Sequence, residues 1–181
     1  MVEIIKDIKK ELRANMNGIA SKAMRDAGMP YHVIWGIELP RLRSIAAQFP
    51  HDRRLAQELW NENVRESRLL AILLTPGGEF LPEVADIWAQ EFRTTEEASL
   101  MSMELIYPQK WATSFAFEQI ARGNYLPSLC GWLTICRLLR EGGKLMERSE
   151  QELRDHAASI GPDAPLPLRK AVQATIQHLS D

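Results

Sequence analysis

Apolar residues recur three and four positions apart along almost the whole chain, which is the spacing of one face of an α-helix. Ala98, Met101 and Leu105 form one such stripe, and Leu55 and Leu59 belong to another. The sequence has no alternating runs rich in Val, Ile and Thr, which are typical of strands. The pattern therefore predicts an all-α protein.

Turn-forming residues divide the apolar stripes into segments of helical length. These residues are Pro50, Thr75-Pro-Gly-Gly78, Pro108, Gly123-Asn124, Gly142-Gly143 and Gly161-Pro162. The segments between them form predicted helix pairs at 52–62/64–75, 80–92/94–107, 110–122/125–141 and 149–160/165–179. Two of the predicted helix starts, Thr94-x-x-Glu97 and Ser149-x-x-Glu152, have the spacing of a capping box.

The pairs begin 28, 30 and 39 residues apart, close to the spacing of HEAT-type helical repeats. We therefore predict one all-α domain over 1–181, a curved α-solenoid of the armadillo/HEAT type. Residues 1–28 would form capping helices, and 40–181 would form the repeats. The segments 64–75 and 94–107 would be inner helices, and the concave surface would be the natural binding face.

Composition limits the classes of protein to which the chain can belong. With 181 residues and 45% apolar content, the chain can bury one sizeable core. Its longest apolar run, Leu69 to Leu74, is too short to span a membrane, and the charged start lacks a signal-peptide core, so we expect a cytoplasmic protein. The spacing of Cys130 and Cys136 fits neither a redox pair nor a zinc site, and we predict reduced core cysteines, no metal and no cofactor.

The charge is unevenly distributed along the chain. The formal net charge is −2, which argues against a strong nucleic-acid binder. Residues 1–75 nevertheless carry 12 basic against 9 acidic residues, whereas residues 76–181 carry 10 against 15. We therefore expect any polyanion to meet the amino-terminal half.

Two consecutive stretches carry a family resemblance. Tyr31-His-Val-Ile-Trp-Gly-Ile-Glu-Leu-Pro-Arg-Leu-Arg43 is followed by Leu59-Trp-Asn-Glu-Asn-Val-Arg-Glu-Ser-Arg-Leu-Leu-Ala71. They resemble the start of the DNA alkylation repair family, the AlkD-like helical-repeat glycosylases, in which a "Y…fG…P-x-LR-x-IA" segment precedes an "LW…E-x-R-LLA" helix pair. The resemblance covers roughly residues 20–140, and it implies double-stranded DNA as a partner.

The resemblance also implies a catalytic site. Those glycosylases excise cationic alkylated bases, with aromatic rings beside the lesion and a carboxylate that stabilises the sugar cation. A family pattern like W-D-T-V-D corresponds here to Phe92-Arg-Thr-Thr-Glu96, so that Glu96 would be the catalytic carboxylate. Phe92, Tyr31 and Trp35 would stack on the base. Alternatively, Glu96 is an acidic residue favoured in any first helical turn, and the aromatic residues belong to the core.

Basic residues are the remaining candidates. The family places an arginine shortly after a tryptophan, as in W-L-R-R, but the matching stretch Trp132-Leu-Thr-Ile135 has Thr134 and Ile135 there. Arg137 lies about 200° further round the helix than Ile135. The candidate contacts to the DNA backbone are Arg41, Arg43, Arg65, Arg68 and Arg137. Alternatively, the first four pair with nearby carboxylates, and Arg137 serves the carboxyl end of its helix.

Three functions remain open at this point. We favour weak DNA binding through the concave surface, with reduced or absent glycosylase activity, because the arginine positions are not matched. The alternatives are an active alkylpurine DNA glycosylase and a non-catalytic scaffold that binds a protein partner on the same face. A basic surface would favour DNA, and an acidic or apolar groove would favour a protein.

Overall fold

The computed structural model describes residues 1–179, which are helical almost throughout. The helices are α1 (Val2–Ala14), α2 (Gly18–Asp26), α3 (Leu39–Ala46), α4 (Arg53–Trp60), α5 (Arg65–Leu74), α6 (Pro82–Gln90), α7 (Thr95–Met101), α8 (Ala112–Arg122), α9 (Tyr125–Arg140), α10 (Glu147–Ser159) and α11 (Leu166–Leu179). A 3₁₀ turn covers Gly77–Glu79, and a π-helical segment, Ser102–Ile106, continues α7. Residues 1–179 contain no β-strand, only an isolated parallel bridge between Val33 and Val64. The predicted all-α class is confirmed.

The predicted helix pairs agree with the observed ones, with two corrections. Helix α3 was not among the predicted helices. Pro40 lies in the first turn of α3, where proline costs no hydrogen bond. The predicted capping box at Ser149 is wrong, because α10 already begins at Glu147.

The chain divides into two compact units, Met1–Phe80 and the part from Leu81 onward. The single domain over 1–181 stays a prediction.

Helix α5 forms the centre of the first unit. Nine of its ten residues are buried, and it packs against α3 and α4. The buried stripe of α4 includes Leu55, Leu59 and Trp60. An inner helix covered on several sides was predicted for 64–75, and the burial of α5 confirms its central position.

A buried carboxylate joins α5 to the loop that precedes α3. Glu66 is fully buried, and its two oxygens accept hydrogen bonds from the backbone N–H groups of Trp35 at 2.9 Å, Gly36 at 3.0 Å and Ile37 at 3.3 Å. Arg65 donates to Glu66 at 2.7 Å and to the carbonyl of Ile37 at 2.9 Å. The buried charge is therefore paired and hydrogen-bonded, as burial of a charge requires.

Gly36 lets the same loop approach α2. Its φ is +75°, in the left-handed region, and a Cβ there would collide with the backbone of Asn17 and Ser21. The backbone N–H of Asn17 donates to the carbonyl of Trp35, and the Ser21 hydroxyl donates to the carbonyl of Ile34 at 2.6 Å. Only glycine fits this contact.

Helix α9 forms the centre of the second unit, where it packs against α6, α7, α8 and α11. Trp132, near its middle, is fully buried. A Cβ on Gly131 would lie 2.6 Å from the carbonyl oxygen of Ala116, so the absence of a side chain lets α8 lie close. The Thr175 hydroxyl of α11 contacts the Trp132 carbonyl oxygen at 3.2 Å.

The first prediction concerns the buried carboxylate. Glu66→Gln should lower the free energy of unfolding by about 3 kcal/mol, because the amide removes the charge that pairs Arg65 and presents a donor to backbone donors. Glu58→Gln, at an exposed position of α4, should change it by less than about 0.5 kcal/mol. Urea unfolding followed by circular dichroism measures both, and similar losses in the two variants would contradict the role given to Glu66.

Candidate nucleic-acid interface

Two neighbouring carboxylates in the first turn of α7 differ in burial and in hydrogen bonding. The backbone N–H of Glu97 lies 3.4 Å from the Thr94 hydroxyl, and the Glu97 carboxylate accepts a hydrogen bond from the backbone N–H of Arg93 at 2.9 Å. Glu97 is fully buried, whereas Glu96 and Phe92 are half-buried. The predicted capping arrangement is confirmed, and Glu97 is committed to it. Glu96 is the more accessible of the two carboxylates.

Glu96 and Ser99 lie on one face of α7, since residues three apart on a helix are neighbours. The helix then passes into the π-helical segment, in which Met103 is 38% exposed and Ser102 is buried. Such segments are rare and are frequent at functional sites. This face of α7 lies beside α9.

Helix α9 has a buried side and an open side. Thr134 and Ile135 are fully buried. The Thr134 hydroxyl lies 2.9 Å from the Ser102 hydroxyl and donates to the carbonyl of Cys130 at 2.8 Å. Positions 134 and 135 therefore face the core and cannot present a group to a ligand.

The turn of about 200° from Ile135 to Arg137 places Arg137 on the open side of α9. An arginine does lie on this face, two residues beyond the second of the expected positions. The absence of arginine at positions 134 and 135 is therefore weaker evidence against glycosylase activity than the sequence suggested.

The open sides of α7, the π-helical segment and α9 enclose a cavity of about 160 Å³. Its lining residues are Ser99, Ser102, Met103, Leu133, Cys136, Arg137 and Arg140. Because Met103 and Arg140 are exposed, the cavity opens to solvent. No carboxylate lines it, and two arginines do. We call it the α7–α9 cavity.

No ion pair within residues 1–179 neutralises the charge of Arg137. Its guanidinium lies over the ring of Tyr107, 4.7 Å from the centroid, and its Nε is buried without a hydrogen-bond partner. Within residues 1–179, neither Arg137 nor Arg140 forms an ion pair. The mouth of the cavity is thus positive and suited to an anion.

Two arginines predicted to contact DNA are buried, which corrects that prediction. Arg65, 2% exposed, pairs with Glu66. Arg68, 3% exposed, donates to the carbonyl of Trp60 at 2.9 Å and stacks on its ring, 3.7 Å from the centroid. Both serve the core of the first unit and are not accessible to a phosphate.

The other predicted residues of the first unit differ in exposure. Arg41 and Arg43 are exposed, and Arg41 donates to the Asn15 side chain at 2.6 Å. Trp35 is half-buried. Tyr31 is only 8% exposed, so the prediction that its ring stacks on a base is wrong, and the alternative of a core aromatic residue holds.

Ser99 and Arg140 were missed as site residues. Residues 133, 136, 137 and 140 recur with the spacing of one helix face, and two of them are arginines, which interrupts an otherwise apolar helix. That interruption could have identified the two arginines from the sequence. Nothing in the sequence pointed to Ser99, because the cavity that it lines forms between two helices.

Within the described part of the chain, no three His, Cys, Asp or Glu side chains cluster as a metal site would require. Nor is any helix among residues 1–179 both long and apolar enough to cross a membrane.

Comparison with known proteins finds one family match and one structural match. Residues 8–94 match the family model described as "DNA alkylation repair enzyme". A solved structure superimposes with a TM-score of 0.81 and 18% identity, over 97% of this chain and 75% of the other. Over residues 8–94 the chain is therefore similar to the DNA alkylation repair family. The solved protein is described as one of "a new family of proteins related to the HEAT-like repeat DNA glycosylases with affinity for branched DNA structures". No significant match was found among curated proteins.

The family match confirms the resemblance drawn from residues 31–71, and the superposition confirms the HEAT-like repeat fold. The family match ends at residue 94, just before Glu96 and α9. The α7–α9 cavity lies outside the matched residues, so its description depends on the structure of this chain alone.

The second prediction distinguishes the two cysteines, which are both free thiols. Burial raises the pKa of the Cys130 thiol to about 12, so almost no thiolate forms there at pH 8. Cys136 is half-buried on the wall of an open cavity. A chromogenic disulfide reagent at pH 8 should therefore react quickly with one thiol per folded chain, and with two after unfolding in guanidinium. Equal reaction rates for two thiols in the folded chain would contradict this placement.

Proposed function

We propose that this protein binds DNA, branched DNA included, through the face formed by α7, the π-helical segment and α9, without efficient excision of alkylated bases. The observation that carries the proposal is the pair Arg137 and Arg140, unpaired within residues 1–179 and beside a cavity without a carboxylate. The similarity to a protein with affinity for branched DNA supports the choice of polyanion.

Local charge outweighs net charge in this proposal. Residues 76–181 carry a formal excess of five acidic residues, which predicted that a polyanion would avoid them. Phosphate contacts, however, depend on the charges within about one Debye length, roughly 8–10 Å in physiological salt. Arg41 and Arg43 on the first unit are further proposed contacts to the DNA backbone.

The protein-scaffold alternative is less well supported. Arg and Met are themselves common at the centre of protein interfaces, so the preference for DNA rests on the similarity to a protein with affinity for branched DNA. The α7–α9 cavity combines an apolar wall with two unpaired arginines. That combination suits a ligand with an aromatic or aliphatic part and an anionic part.

Reduced catalysis follows from the separation between Glu96 and the accessible arginine. The Arg137 guanidinium lies over Tyr107, which is eleven residues beyond Glu96 along one continuous helical segment. At about 1.5 Å per residue, eleven residues span roughly 16–17 Å along the helix axis. This separation along the helix supports reduced catalysis rather than one compact catalytic site. Catalysis needs such groups within a fraction of an ångström of their places.

The third prediction concerns DNA affinity. Replacing both Arg137 and Arg140 by alanine should weaken binding to a branched junction at least tenfold in about 100 mM salt. It should also reduce the slope of log K against log [salt] by about 2, one for each lost phosphate contact. Fluorescence anisotropy of a labelled junction at several salt concentrations measures both quantities.

Arg148→Ala is the matched control for charge, since Arg148 is exposed on α10 and does not line the cavity. It should leave the affinity within about twofold and the slope unchanged. Arg140→Ala alone, at an exposed position, should produce about half of the change in slope without altering the melting temperature. Equal losses from Arg148→Ala and the double variant would indicate diffuse attraction and contradict an α7–α9 interface.

The fourth prediction concerns base excision. Release of methylated bases from alkylated duplex DNA should be at least about 10²-fold slower than that by an active glycosylase, because loss of one preorganised electrostatic group typically costs 10²–10³ in rate. Any residual release should disappear in Glu96→Gln, whose amide cannot stabilise a sugar cation. Chromatography of the released bases measures the rate, and rapid release that survives Glu96→Gln would refute both statements.

A further inference from the structure

We propose that the α7–α9 cavity holds one unpaired pyrimidine base of a bulged or branched DNA, with Arg137 and Arg140 beside the flanking phosphates. This inference rests on the proposed DNA binding and assigns a ligand to the cavity itself.

The size of the cavity limits the ligand to a single ring. Its volume is about 160 Å³. An apolar protein cavity of about 150 Å³ is known to hold benzene, which has the size of a pyrimidine ring. A purine has a second ring and would project from the mouth. A phosphate alone would leave the apolar wall uncovered.

The walls suit a flat heterocycle. Leu133 and Met103 supply apolar surface, and a thioether makes favourable contacts with aromatic rings. The Ser102 hydroxyl is already hydrogen-bonded to Thr134, whereas within residues 1–179 the Ser99 hydroxyl makes no hydrogen bond. A hydroxyl both donates and accepts, so Ser99 can bond to the edge of the ring.

The Arg137 side chain is not fully satisfied within residues 1–179. Its buried Nε has no hydrogen-bond partner there, and its guanidinium stacks on Tyr107. An Arg guanidinium bonds a phosphate through two parallel N–H groups, which suits a backbone turn around an extruded nucleotide. The positive mouth and the apolar wall thus match the two ends of one nucleotide.

The cavity would favour DNA in which a base is already unpaired. Extrusion of a stacked and paired base costs a few kcal/mol, and this cost is least where pairing is already lost. Branch points and bulges meet that condition, whereas an intact duplex does not. Recognition of one unpaired base therefore gives a physical reason for selective binding of branched structures.

The test varies the DNA rather than the protein. Four labelled duplexes carry at one position a bulged thymidine, a bulged adenosine, a bulged abasic nucleotide or no bulge, and anisotropy gives Kd for the full chain. The bulged thymidine should bind about tenfold more tightly than the abasic bulge, because a base in contact with the protein typically contributes that much or more. The adenosine bulge should lie between these two.

A protein variant with a filled cavity tests the same proposal. Ser99→Leu introduces a larger side chain at the wall and should reduce the preference for thymidine over the abasic bulge to about twofold or less. Arg148→Ala should keep the preference. The melting temperature of each variant shows that it is folded, and a bulge that carries a fluorescent cytosine analogue should brighten with the wild-type chain and Arg148→Ala but not with Ser99→Leu.

The outcomes separate the two proposals. Equal affinity for the thymidine and abasic bulges, with both bound more tightly than the intact duplex, would overturn base capture and leave DNA binding through phosphates. A thymidine preference that persists in Ser99→Leu would show that the base enters elsewhere and would also overturn this inference. Absence of binding to all four duplexes would overturn the proposed function together with it.

Discussion

The first unit depends on the Glu66 carboxylate, on which three successive backbone N–H groups converge. The hydrogen bonds to Trp35, Gly36 and Ile37 fix a loop that would otherwise expose unsatisfied donors in the interior. Because this loop also bonds to α2 and leads into α3, one side chain on α5 sets the positions of three helices. The charge remains buried only because Arg65 lies against it at 2.7 Å. Removal of either partner leaves the other as an isolated buried ion, which is far more costly than loss of one neutral hydrogen bond.

This arrangement explains what could be predicted from the sequence and what could not. Helical periodicity and the breakers sufficed for the all-α class and the four helix pairs, because apolar stripes follow directly from the geometry of one helix. Helix α3 was missed, although Pro40 lies in its first turn, where proline costs no hydrogen bond. The roles of Arg65 and Arg68 could not be predicted. Their partners, the carbonyls of Ile37 and Trp60, become neighbours only in the folded unit.

The same reasoning applies to the proposed interface. In the sequence, Arg65, Arg68 and Arg137 look alike, as basic residues within helices next to acidic or apolar neighbours. In the structure, Arg65 bonds to a buried carboxylate, Arg68 stacks on Trp60, and Arg137 reaches an open cavity without an ion pair in the described chain. A count of charges over each half of the chain does not distinguish a buried, paired arginine from an accessible one. The location of an unpaired charge is a tertiary property, and it is the reason why our proposed interface lies in the second half of the chain.

Binding and catalysis place different demands on such a face, so one can persist without the other. A phosphate or an unpaired base is held by several contacts of moderate strength, and a displacement of one ångström weakens each of them only slightly. Cleavage of a glycosidic bond needs a carboxylate, a water molecule and the sugar in one fixed geometry, and a similar displacement can cost about 10² in rate. Glu96 lies at the start of α7, and Arg137 lies beside Tyr107 at the far end of the π-helical segment, so the two groups are separated along the length of this face. Such a span is suited to recognising the shape of a strand, which is why we place DNA recognition, and not base excision, on this surface.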